Sequence, residues 1–303
     1  MSVARALGND MNPVTGESWK DRNRQILDLA RQFEFKETEQ GDRLNGYVFT
    51  PEGEPKDLRP AIIFFSNSLW ENMNVTQFGP QALHFAERGA VTALIEYRTK
   101  TTHGTSPVEA MSDARSAIRW IRYNAEALRV DPSRVVACGG SAGAQMVLSA
   151  AMIPGVADDP NDPNISCVPD AMVLFSPIVD IISKQASFVD RFGGDLELAN
   201  RCNPLKYVGK HIPPTIVFHG TADRVIPFEP VVKFVKAAKK KNNIFELCLF
   251  EGLDHSFYNF NVNPDGFDTA ILETDRFLVT QGFLQDDPGA TGRAEAVSGG
   301  WGW

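Results

Sequence analysis

Of the 303 residues, 43% are hydrophobic and 22% charged, enough apolar material for a large buried core. The net charge is −8, from 30 basic and 38 acidic residues, a balance that argues against nucleic acid and anionic membrane as main partners. No run of about eighteen apolar residues occurs, so no membrane span is expected.

Met1–Asn12 carry no apolar stretch of the kind a signal peptide needs, so the cytoplasm is the expected location unless a leader has been removed. Residues 1–20 are polar and contain Gly, Asn and Pro, and are expected to be loosely held. A single domain is expected over residues 21–285. It opens with a helix over Asp21–Arg31, with Ile26, Leu27 and Ala30 on one side. Phe33–Glu37 alternates as a half-buried strand does, and Leu44–Phe49 follows a Gly41-Asp42-Arg43 turn. Together they predict an antiparallel hairpin at a sheet edge.

After the Pro-rich loop Pro51–Pro60, alternation stops. Ala61–Phe65, Val91–Ile95, Val135–Cys138, Ala171–Phe175, Thr215–Phe218 and Phe245–Phe250 are short, mostly apolar runs, as expected of strands covered on both faces. Helical segments separate them, over about Gln77–Arg88, Pro107–Leu128, Ala142–Ile153, Glu229–Lys241 and Phe267–Gln281. Such alternation predicts a mainly parallel sheet wrapped by helices. Residues 178–212 break the rhythm and read as a small cap-like excursion over a site. Lysines between Lys233 and Lys241 fit a solvated helix C-terminus matched to its dipole. Residues 286–303 are Gly/Ala-rich and are expected to form a flexible tail carrying Trp301 and Trp303. Cys138 and Cys248 fall in predicted strands, while Cys167 and Cys202 fall in loops and could pair. No C-x-x-C or H-E-x-x-H spacing occurs, so no metal site is expected.

The chemistry centres on Val135–Met146. A buried strand runs into Gly139-Gly140-Ser141-Ala142-Gly143 and directly on into a helix. In this G-x-S-x-G turn the serine hydroxyl is exposed on a strained backbone, and small neighbours let strand and helix pass closely. The helix N-terminus adds free N–H groups where an oxyanion would form. A nucleophilic serine needs a base, and the base needs an orienting acid. Asp223 lies just after the strand ending at Phe218, and His255 just after the last strand, so both belong to the carboxyl edge of the sheet. The order Ser141, Asp223, His255 is that of α/β-hydrolases. Asp254 is a rival acid, but it adjoins the histidine it would have to reach. His219 and His103 read as structural.

The chain resembles the hormone-sensitive-lipase-like and acetyl-esterase group of α/β-hydrolases over about residues 44–284. The likeness rests on Pro60–Phe65, Glu96-Tyr97-Arg98, Asp113–Trp120, Gly139–Gly143, Pro214–Pro227 and Gly252–Phe257. It implies an α/β-hydrolase fold with Ser141 as nucleophile, Asp223 as acid and His255 as base. One departure stands out. Such esterases have His-Gly-Gly-Gly or Phe-Gly-Gly-Gly-Trp after the first parallel strand, whereas this chain has Ser66-Asn67-Ser68-Leu69-Trp70.

The resulting expectation is a serine carboxylic-ester hydrolase acting on small ester molecules, with short acyl chains and no cofactor. The oxyanion would be held by Ala142 N–H and by the loop of Asn67, Ser68 and Leu69. Asn67 is expected to take any left-handed backbone there, and Leu69 an ordinary one. A prolyl-oligopeptidase-type peptidase and a non-catalytic binding homologue are the alternatives. The sequence leaves the oligomeric state open.

Overall fold

The apolar runs that do not alternate form the middle of one eight-stranded sheet. The structure, a computed structural model, describes residues 23–53, 57–156, 164–183 and 187–287. The strands are β1 (Arg31–Glu37), β2 (Arg43–Phe49), β3 (Arg59–Phe65), β4 (Val91–Ile95), β5 (Val130–Gly140), β6 (Ala171–Phe175), β7 (Thr215–Gly220) and β8 (Phe245–Phe250). Their order across the sheet is β1-β2-β4-β3-β5-β6-β7-β8. The predicted hairpin pairs antiparallel at one edge, β2 joins β4 antiparallel, and every pairing from β4 onward is parallel.

Helices cover both faces. One face carries α3 (Pro107–Tyr123), α5 (Ala142–Met152) and α7 (Phe228–Lys240), packed on residues such as Ala61, Ile63 and Phe65. The other carries α1 (Gly79–Glu87), α8 (Pro264–Thr280) and Ile26 of the helical residues 23–28, packed on Ile62 and Phe64. Alternate residues of one buried strand thus feed two cores, which is why β3 reads as a continuous apolar run.

Three differences from the sequence reading have local causes. The helix expected over Pro107–Leu128 divides at Asn124, where α3 ends and α4 (Ala125–Leu128) begins, and left-handed Arg129 (φ 57°) closes it. A short helix α2 (Lys100–His103), too short to show a period, follows β4 and ends at left-handed Gly104 (φ 68°). Strand β5 starts at Val130 because Arg59 pairs with Val130 before the Asp131-Pro132-Ser133 irregularity. Cys167 and Cys202 do not pair; all four cysteines are free thiols. Of the segments expected to be loose, residues 1–20 lie outside the described residues, as do 288–303.

Among the described residues, the sequence break over 178–212 contains short elements only. Ile182 bridges Ser187, a 3-10 turn spans Val189–Phe192, α6 spans Leu196–Arg201, and a second 3-10 turn spans Pro204–Tyr207. The edge hairpin is fastened by charge. Lys36 on β1 reaches fully buried Asp113 of α3 at 2.9 Å, and Arg98 grips the same carboxylate through two nitrogens. A buried carboxylate needs such partners, because taking a charge out of water is costly unless it is paired and hydrogen-bonded.

Candidate active site

Register fixes where the site lies. Phe65 pairs with Gly139, Gly140 with Phe175, and Gly220 with Phe250, so β3, β5, β6, β7 and β8 end level. The residues that follow, Ser66–Trp70, Ser141, Ser176, Thr221–Ile226 and Glu251–His255, share one edge. That is the edge at which open α/β sheets bind ligands.

Ser141 stands between β5 and α5 with φ 54° and ψ −113°. A non-glycine residue there is strained, and such strain persists only where the surroundings over-determine it. Here the Ser141 N–H donates to the Phe175 carbonyl at 2.8 Å, and its own carbonyl accepts from Gln145 and Ile178 N–H. The glycines serve close approach. A Cβ on Gly143 would run into the Phe65 and Ser66 carbonyls, and one on Gly139 would lie 2.5 Å from the Gly143 carbonyl carbon. The turn predicts an exposed hydroxyl, but Ser141 is 1% exposed and its hydroxyl is buried, with no hydrogen bond among the described residues, His255 included.

Asp223 and His255 meet across the edge. His255 Nδ1 lies 2.8 Å from Asp223 Oδ2, while Asp223 Oδ1 accepts from the Val225 and Ile226 N–H groups at 2.9 and 2.8 Å. His219, fully buried at the end of β7, places Nε2 3.3 Å from Asp223 Oδ2 and 2.9 Å from the Ile226 carbonyl. Burial works against the Asp223 charge, but the hydrogen bonds from His219 and His255 outweigh it and hold the carboxyl well below the usual carboxylate range. Asp254 does not compete. It accepts from the His255 backbone N–H and pairs with Arg224 at the surface. His103 is likewise local, its Nδ1 accepting from Thr99 N–H at 3.0 Å. The His255 backbone is tied in turn to the end of β6, because Ser176 Oγ donates to the His255 carbonyl at 3.3 Å.

The loop after β3 departs from expectation. Leu69 and Trp70 are the left-handed residues, at φ 49° and 58°, and Asn67 is not. The cause lies in the hydrogen bonds. Asn67 N–H donates to Gln77 Oε1 at 2.7 Å, and its side-chain amide donates to Tyr258 Oη at 3.1 Å. Those two bonds hold Asn67 outside the turn, so the next residues must bend. Trp70 N–H donates to Ser68 Oγ at 2.9 Å, and Glu71 N–H to the Ser68 carbonyl at 2.9 Å. Tyr97 Oη, 2.7 Å from both Ser68 Oγ and the Ser66 carbonyl, completes the knot, and burial pushes its pKa up to about 12. The polar side chains of Asn67 and Ser68 are therefore used in holding the loop. The Ser68, Leu69 and Ala142 N–H groups make no hydrogen bond among the described residues.

Tyr258 is a participant the sequence did not single out. It is fully buried, stacks on Phe78 at 5.7 Å, and lies so close to Gly140 that a Cβ there would sit 2.5 Å from its hydroxyl. Only its position three residues after His255 hinted at a role. Among the described residues no group of three or more His, Cys, Asp or Glu could hold a metal ion, and no helix is long and apolar enough to cross a membrane.

Comparison with known proteins gives a consistent set of relatives. The family model BD-FAE matches residues 48–237. Esterase Est2 of Thermogutta terrifontis is 33% identical with a TM-score of 0.80, covering 86% of this chain and 96% of that one. Est2 is also known with butyrate bound and phosphonylated by sarin, each at 34% identity and with TM-scores of 0.78 and 0.80. Among curated proteins, isoprenylcysteine alpha-carbonyl methylesterase ICME of Arabidopsis thaliana is 24% identical over 66% of this chain and 51% of its own length. Esterase LipQ of Mycobacterium tuberculosis is 26% identical over 58% of this chain and 45% of its own length. The chain thus spans about half the length of these curated relatives. With the matched model covering more than half of it, the chain belongs to the BD-FAE family of the α/β-hydrolase superfamily.

Proposed function

We propose that this chain is a serine carboxylic-ester hydrolase working through an acyl-enzyme. The observation that carries the reading is the 2.8 Å His255–Asp223 bond, on the same sheet edge as a strained, unpartnered Ser141 hydroxyl. Ser141 Oγ attacks the ester carbonyl while His255 Nε2 takes its proton. The tetrahedral adduct collapses, and His255 returns that proton to the departing alcohol. Water then attacks the acyl group with His255 again as base, and Ser141 is released with the carboxylic acid. Asp223 keeps the Nδ1–H tautomer and stabilises the imidazolium. Its own carboxylate is oriented by the Val225 and Ile226 N–H groups and by His219. The oxyanion is received by the Ala142 N–H at the start of α5 and by the Ser68 and Leu69 N–H groups. The Asn67 and Ser68 side chains hold that loop and take no part in donation.

Small acyl groups fit best. The excursion over residues 178–212, whose Ile178 N–H reaches the Ser141 carbonyl, is short and offers little length for a long aliphatic groove. The binding of butyrate by the related Est2 supports the same size class. The test pairs hydrolysis of a two-carbon and a twelve-carbon acyl ester with labelling by a fluorophosphonate. Wild type should label and should cleave the short ester faster, and Ser141→Ala should do neither. Turnover in Ser141→Ala refutes the mechanism, and faster cleavage of the twelve-carbon ester refutes the size class.

A further inference from the structure

Two consecutive left-handed residues with side chains are an unstable arrangement in isolation. Leu69 and Trp70 adopt it at φ 49° and 58°, where L-residues crowd their own carbonyls. In the related glycine-rich form the loop would meet no such penalty. Here something else must hold it, and the contacts around Trp70 and Glu71 identify what. The Trp70 indole, 2% exposed, packs edge-on against Phe188 at 6.3 Å and Phe192 at 6.0 Å. The Glu71 carboxylate pairs closely with Arg191, and more distantly with Lys100 at 3.7 Å. Phe188 caps the 3-10 turn that holds Arg191 and Phe192, within the excursion that breaks the strand–helix rhythm.

We propose that Arg191, with Phe188 and Phe192, is a positioning element that clamps the Leu69–Glu71 segment, holds Leu69 and Trp70 left-handed and so presents the Ser68 and Leu69 N–H groups to the oxyanion. The proposal rests on the hydrolase reading above. The clamp grips from outside the turn, while the Ser68 bonds to Trp70 and Glu71 close it from inside. Lys100 and Thr101 add backbone bonds to the Trp70 and Glu71 carbonyls, at 2.9 and 3.0 Å, and the Lys100 ammonium adds only its more distant pair with the Glu71 carboxylate. Arg191 is the component most open to test. Its side chain is 32% exposed, so its removal perturbs the loop without opening a core.

Arg191→Ala is expected to lower kcat on a short-chain ester about tenfold with KM within about twofold, because donors that act only on the transition state are lost. The decisive comparison repeats the substitution in a Leu69→Gly background. Glycine accepts positive φ without strain, so the Arg191→Ala loss should shrink there to within about twofold. Three results would overturn the proposal: an unchanged kcat in Arg191→Ala, a rise in KM alone, or an equal loss in both backgrounds. Ser141→Ala, run alongside, separates the two levels. Its inactivity with a silent Arg191→Ala removes the clamp and keeps the hydrolase, whereas its turnover removes the hydrolase reading itself.

Discussion

At the scale of single residues the decisive group is Asp223. Both its oxygens are committed, one to two backbone N–H groups and the other to His255 and His219. Its carboxyl titrates well below the ordinary range, so it remains charged at any mildly acidic pH and cannot account for an acid limb in turnover. Asp223→Asn presents an amide to the histidine in place of an acceptor and favours the wrong tautomer. The expected loss is about 10⁴ in kcat, as for the orienting acid of other triads. Asp254→Asn removes only a surface pair with Arg224 and should stay within a few-fold of wild type. Steady-state kinetics of the two variants tests the assignment, and a reversed ranking would move the acid to Asp254. The sequence carried this much because each proposed residue follows a buried strand. It did not carry the φ angles of Ser66–Trp70. Asn67 tolerates left-handed backbone best by type, yet Gln77 and Tyr258, 10 and 191 residues away, hold it elsewhere.

At the scale of elements, the β5–α5 turn depends on volumes that a sequence can reveal. Gly143 faces the Phe65 and Ser66 carbonyls across β3, and backbone atoms cannot swing aside as a long side chain can. Gly143→Ala should therefore destabilise the fold by at least ~2 kcal/mol, in the range for overpacking a tight interior, and should move the Ser66–Trp70 loop. Denaturant unfolding of the variant checks it, and a midpoint equal to wild type would show that β3 and α5 can part freely. Strands were legible because two-sided burial leaves an unbroken apolar run, as in Ala61–Phe65, and the hairpin was legible from its period of two. Helix α2 and the division at Asn124 were not. Four residues show no period, and a left-handed Arg129 has no compositional mark. The clamp from Val189–Phe192 was invisible for a different reason: it joins segments about 120 residues apart through ring and charge contacts, which leave no pattern along the chain.

At the scale of the whole molecule, acid sensitivity follows from paired carboxylates. Asp275 on α8 is taken by Arg88 at the end of α1, at 2.5 and 3.0 Å, and this bond ties together two helices of one face. Burial opposes the charge on Asp275, but the His84 imidazole 3.8 Å away and the hydrogen bonds from Arg88 lower its pKa below the ordinary value. A carboxyl with a lowered folded pKa contributes stability that is present above its unfolded value, near pH ~3.9. That contribution fades as pH falls through the folded value. Asp275→Asn should therefore be less stable than wild type at neutral pH, with the gap narrowing below about pH 4. Melting temperatures of both proteins across pH would show it, and a gap independent of pH would assign the loss to packing.

The Tyr258 ring bears on how such a site can change over descent. Its hydroxyl accepts from the Asn67 amide and fills the space a Cβ on Gly140 would need, and its main chain continues the turn that carries His255. Three separately encoded loops thus share one aromatic keystone. None of them can be transplanted from a cousin without its counterparts, since an imported Asn67 segment would arrive without the phenol it was shaped against. Divergence at this edge is then a matter of matched replacements, and a chimera exchanging the Ser66–Trp70 segment alone inherits a misfit where a joint exchange with Asp254–Asn259 does not.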